Sequence, residues 1–163
     1  MQLLVFRHGI AEDDSAGGSD FSRQLTDEGV DRTRRAAAGL RKVAPSPQVI
    51  LTSPKVRARQ TADLAGEAFD RSPVIENVLA EDNAVGIVNM LRKRREQTVM
   101  IVGHEPTLST VIEMLCAPNR PHPFVRMKKA GCALVDVDLD AAGIGSGGQL
   151  EWLLPPKALR KLV

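Results

Sequence analysis

Unbroken apolar runs alternate along this chain with stretches in which apolar residues return every three or four positions. QLLVFR (2–7), QVILT (48–52) and TVMIVG (98–103) are of the first kind. Short runs this rich in Val, Ile and Leu predict strands of a parallel sheet covered on both faces, because a strand with one wet face would alternate. Between them, Val30, Thr33, Ala37 and Leu40 share one face of a helix that opens near Thr26. Thr61, Leu64, Ala65, Ala68 and Phe69 do the same after Pro54. The period recurs at Ala84, Ile87, Val88 and Leu91, and again at Leu108, Val111, Ile112 and Leu115. CALVDVDL (132–139) alternates instead, and GIGSGGQ turns it into LEWLL (150–154), which predicts an antiparallel hairpin. DDSAGGSDFS (13–22) and APNRPHPF (117–124) have loop composition. This order predicts an α/β fold, a three-layer α/β/α domain over 1–163 whose central sheet is mostly parallel and ends in an antiparallel hairpin.

Composition narrows the function. A chain of 163 residues with 43% apolar and 26% charged residues can bury a full core and matches a soluble globular protein. A formal net charge of +2 and 3% aromatics, with no tyrosine, argue against a nucleic-acid partner. Cys116 and Cys132 lack metal-type spacing and are too few for a disulfide framework, so buried thiols are expected. LLVF is too short for a signal-peptide core and no apolar run could span a membrane, so a cytoplasmic protein without a membrane partner is expected.

The chemistry gathers where the predicted strands end. The first ends in Arg7-His8-Gly9, the second in Thr52-Ser53-Pro54 with Arg57 close behind, and the third in Gly103-His104-Glu105-Pro106. In open α/β sheets ligands bind beyond the carboxyl ends of the strands. Ser53 as N-cap with Pro54 at the first helical position, and Pro106 likewise, would place two helix starts there. Helix starts and arginine forks both favour a dianionic phosphate. His8 can act as a nucleophile if a backbone carbonyl near Gly9 holds its other ring nitrogen, and the glycine is expected to let a phosphoryl group approach. Taken singly, RHG reads as a surface turn, His104 as a satisfied strand-end histidine and Arg57 as a solvated helix residue. Their joint occurrence at three strand ends favours the site.

FRHG (6–9), SPKVRARQTA (53–62) and VGHEP (102–106), in that order and with LTDEG (25–29) opening the first helix, resemble the histidine phosphatase superfamily. The resemblance implies the phosphoglycerate mutase-like fold. The short loops make the chain most similar, within that superfamily, to SixA-type phosphohistidine phosphatases. It further implies that His8 attacks phosphorus, that Arg7, Arg57 and His104 hold the equatorial oxygens, and that water then hydrolyses a phosphohistidine enzyme. No metal or other cofactor is implied. Arg23, ahead of Leu25-Thr26, is either a solvated loop residue or a further phosphate contact. His122 is expected to be exposed in its Pro-rich loop.

The expected partner is a phosphorylated protein domain, such as a signalling phosphotransfer domain, or a small phosphorylated substrate, met by a monomer. Glu81 and Asp82 leave the choice open. Ester cleavage needs an acid to protonate the leaving oxygen, whereas a phosphoramidate nitrogen leaves more readily. Both carboxylates can also be read as caps of the helix that follows, Asp82 more readily than Glu81. A non-catalytic phosphate-binding module is the third reading. The clusters Arg32, Arg34 and Arg35, Arg92–Arg95, and Lys157, Arg160 and Lys161 read as solvated surface or as a docking face for an acidic domain.

Overall fold

Six strands pair in the order β3-β2-β4-β1-β5-β6 in a computed structural model that describes residues 1–13, 18–118, 122–139 and 147–163. They are β1 (Gln2–Arg7), β2 (Val49–Thr52), β3 (Pro73–Ile75), β4 (Thr98–Gly103), β5 (Cys132–Asp136) and β6 (Gln149–Leu154). The first four run parallel, and β5 and β6 follow as the antiparallel hairpin. Most of the predicted turn 143–149 lies outside the described residues.

The buried strands feed two cores by alternation. Leu3, Val5, Val99 and Ile101 join Ile87, Val88 and Leu91 of α3 (Ala84–Arg92) and Leu108, Val111 and Ile112 of α4 (Thr107–Cys116). Leu4, Phe6, Met100 and Val102, one residue out of phase, join Ala36 and Leu40 of α1 (Asp27–Val43) and Ala58, Ala62, Ala65 and Phe69 of α2 (Val56–Phe69). A strand wet on neither face needs no polar residue, which is why these runs are unbroken. At the helix starts, Thr26 Oγ1 accepts from the Gly29 N–H at 3.0 Å and caps α1.

Two elements were not predicted. β3 has three residues and begins with proline, which an edge strand tolerates because its N–H would face no partner. α5 (Pro156–Leu159) is a single turn whose Leu159 is fully buried in the α1–α2 core. β5 stops at Asp136, short of the predicted 139. Cys132 is fully buried and Cys116 only partly so. Among the described residues no helix is long and apolar enough to cross a membrane.

Candidate active site

Strand register sets the geometry of the site. Arg7 pairs with Gly103 across β1 and β4, and Thr52 with Val102 across β2 and β4. The ladder continues one step, through His8 N–H to the Gly103 carbonyl at 3.1 Å and Ser53 N–H to the Val102 carbonyl at 3.0 Å. Ser53, His104 and His8 therefore sit side by side at the carboxyl edge of three adjacent parallel strands. The His8 and His104 ring centroids are 5.1 Å apart.

Each imidazole has one ring nitrogen engaged. His8 Nδ1 lies 2.7 Å from the Gly9 carbonyl oxygen. A carbonyl only accepts, so Nδ1 carries the proton and Nε2 keeps the lone pair. Burial, reinforced by Arg57, Arg7 and Lys129, pushes the His8 pKa down to about 3 against the pull of that carbonyl, so the ring is neutral at neutral pH. His104 is also lowered to about 3, by burial first and then by His8, Arg57 and Lys55, with Asp20 acting in the opposite sense. His104 Nε2 is 2.8 Å from the Oγ of Ser53, a fully buried side chain. His104 Nδ1 is buried and has no hydrogen-bond partner among the described residues.

The cations come from four segments and line one cleft of about 380 Å3 with the two histidines. Arg7 Nη1 donates to the Met127 carbonyl at 2.7 Å. Arg57, the second residue of α2 and only 5% exposed, donates through Nη1 to the Asp20 carbonyl at 2.5 Å and through Nη2 to Asp20 Oδ2 at 3.0 Å. Arg23 reaches the same cleft, with Nη1 on Asp20 Oδ1 at 2.9 Å and Nε on the Glu12 carbonyl at 2.6 Å. Lys55 and Lys129 complete the cationic lining, and Glu81, Asp82 and Glu105 lie on it as well. Arg7, His8, Arg57, His104 and Arg23 thus all meet here. His122 is exposed and does not line this cleft.

Three local expectations need correction. Ser53 and Pro54 do not start the second helix: α2 begins at Val56 after Lys55, and the Ser53 hydroxyl instead meets His104 and accepts from the Lys55 N–H at 3.3 Å. Gly9 serves packing. A Cβ there would meet Thr33 Oγ1 at 2.2 Å, so glycine is what allows α1 to approach β1. Neither acid caps α3, because Asn83 does so by accepting from the Gly86 N–H at 2.7 Å. Asp82 accepts from Thr107 Oγ1 at 3.1 Å instead.

Asp20, Lys55 and Lys129 were missed by sequence reasoning. Asp20 lies in a loop of Gly and Ser with no periodic signal, and what marks it is the convergence of cations from elsewhere. The stretch 53–62 becomes intelligible residue by residue. Arg57 enters the cleft, Gln60 Oε1 accepts from the Leu25 N–H at 2.7 Å, and Thr61 Oγ1 accepts from the Gly9 N–H at 3.0 Å while donating to the Arg57 carbonyl at 2.7 Å. Ala58 and Ala62 are fully buried where α2 packs on the sheet.

The model of the histidine phosphatase superfamily, branch 1, matches residues 3–90. An uncharacterised protein of Picosynechococcus sp. is 33% identical over 168 residues, covering 95% of this chain and all of that protein. The phosphohistidine phosphatase SixA of Escherichia coli is 29% identical over 167 residues, covering 98% of this chain and 97% of the relative. The solved structure of the protein histidine phosphatase SixA complexed with tungstate superposes with a TM-score of 0.78 at 27% identity, covering 98% of this chain and 99% of the other. Matched by the family model over more than half its length and by full-length relatives beyond it, the chain belongs to branch 1 of the histidine phosphatase superfamily.

Proposed function

We propose that this chain is a metal-independent phosphatase that removes the phosphoryl group from phosphohistidine on a protein. One observation carries the chemistry: the Gly9 carbonyl fixes the Nδ1–H tautomer of a buried, neutral His8, which leaves Nε2 as the lone pair in a cleft lined with cations. Nε2 attacks phosphorus in line as the bond to the leaving nitrogen breaks, and water then attacks the phosphohistidine enzyme and releases orthophosphate. Arg7 and Arg57 offset the charge on the equatorial oxygens, His104 acts there as a neutral hydrogen-bond donor, and Arg23 is an outer contact. Similarity to SixA over nearly the whole chain supports the protein substrate.

One observation favours a second reading. Glu81 lines the cleft, where it could protonate the leaving oxygen of an ester, and the chain would then be a small-molecule phosphomonoesterase. The two part on substrate. Wild type, His8→Ala and Glu81→Gln are compared on a phosphohistidine-bearing domain, p-nitrophenyl phosphate and sugar phosphates, without added metal. Phosphohistidine turnover should fall at least about a thousandfold in His8→Ala and stay within about twofold in Glu81→Gln. Efficient ester cleavage that collapses in Glu81→Gln would give the cleft to small phosphate esters. No His8-dependent turnover of any substrate would leave a phosphate-binding module.

A further inference from the structure

The cleft already contains an anion of its own. Asp20 sits on the 3-10 turn Asp20–Ser22. Its Oδ2 accepts from Lys55 Nζ at 2.9 Å and Arg57 Nη2 at 3.0 Å, and its Oδ1 from Arg23 Nη1 at 2.9 Å. Its own carbonyl takes the other terminal nitrogen of Arg57. An oxyanion gripped by two guanidiniums and an ammonium has the surroundings expected of a phosphoryl oxygen. Without it, three cations drawn onto one point of the cleft would repel one another.

We propose that Asp20 is the resident counter-anion of the phosphate site, holding Arg57, Lys55 and Arg23 together and competing with phosphate dianions for them. The inference rests on the cleft being a phosphate site. Lysine and arginine contacts spent on the carboxylate are unavailable to a phosphate until the side chain yields. At 52% exposure, and carried on a three-residue turn, it can yield without opening the core. The competition falls unevenly on substrate and product. A phosphorylated domain brings contacts beyond the phosphoryl group and tolerates the loss, whereas orthophosphate has nothing else to hold it. Asp20 thereby lowers affinity for the product more than for the substrate and limits occupation of the site by free phosphate. The strong cation contacts hold the Asp20 carboxyl well below the usual range, Lys55 foremost, so the counter-anion is charged throughout the neutral range.

The test measures orthophosphate binding by calorimetry in wild type and Asp20→Asn, which keeps an acceptor for Arg57 and the backbone carbonyl contact. Asp63→Asn, which removes the same charge from the exposed face of α2, is the control. Asp20→Asn is expected to bind orthophosphate on the order of tenfold more tightly, with Asp63→Asn unchanged. Unchanged or weaker binding in Asp20→Asn would overturn the competition and make Asp20 a scaffold for Arg57. Equal tightening in both variants would reduce it to net charge and overturn it too. Absence of binding to wild type and both variants would remove the phosphate site along with the inference. His8-dependent turnover with an unaltered orthophosphate affinity in Asp20→Asn would remove the inference alone.

Discussion

His8 shows how one backbone contact and one burial decide what a side chain can do. A solvent-exposed histidine at neutral pH is a mixture of tautomers and partly protonated. Here the Gly9 carbonyl selects one tautomer, and burial among cations removes the imidazolium. Folding lowers the pKa from its ordinary 6.5 to about 3, so between those values the unfolded chain binds a proton that the folded chain refuses. The contribution of His8 to stability is therefore whole above pH 6.5 and declines as pH falls toward 3, by about 1.4 kcal/mol per pH unit. The His8 ring signals in nitrogen NMR should show no titration between pH 8 and 5. Urea midpoints measured at pH 7 and pH 5 should fall less in His8→Gln than in wild type. A His8 signal that titrates near 6.5 would mean the ring is solvated and its tautomer unselected.

At the level of elements, the site is a set of agreements between segments far apart in sequence. Thr61 of α2 ties the β1 end to Arg57, and Gly9 lets α1 close over that end. Gly9→Ala should cost about 1–3 kcal/mol through overpacking against Thr33. Because the offending atom is Thr33 Oγ1, adding Thr33→Ala should restore a good part of the loss, measurable as a double-mutant coupling in chemical denaturation. If Gly9→Ala left stability intact but abolished orthophosphate binding, the glycine would belong to the ligand after all. The same agreements explain what was legible beforehand. β1, β2 and β4 announce themselves as unbroken apolar runs, the four longer helices by period, and Arg7, His8, Arg57 and His104 by standing at strand ends or just beyond. β3 and α5 are too short to show a period. Ser53 was misread as a cap because the Ser-Pro pair is a sound local signal, overridden here by a hydroxyl that His104 engages across the sheet. Asp20 had no local signal at all, since its place is fixed by Arg23, Lys55 and Arg57 together.

For the molecule as a whole, what matters is which part of the fold carries the site. Lys and Arg number 22 against 20 Asp and Glu, so the cationic cleft does not express a strongly basic surface. It comes from where the sheet delivers particular side chains. β1 delivers Arg7 and His8, the segment after β2 delivers Lys55 and Arg57, and β4 delivers His104, while Arg23 and Lys129 reach the cleft from outside these strands. β1 and β4 are central strands, with Leu3, Leu4, Val5, Phe6, Met100, Ile101 and Val102 all fully buried between two helical layers, whereas edge strand β3 leaves Val74 and Ile75 about half exposed. Strands buried on both sides open only with global unfolding, and edges and surface turns open by smaller excursions. Amide exchange should therefore be slowest in β1 and β4, faster in β3, and fastest at the Asp20 turn. His8, His104 and Ser53 each lie one residue beyond a buried strand. Their arrangement should persist until the sheet itself is lost, so His8-dependent turnover and far-UV circular dichroism should fall at the same urea midpoint. Activity lost well before the dichroism would place the catalytic groups on a unit that opens separately. The register that sets Ser53, His104 and His8 in a row would then not be what holds them in solution.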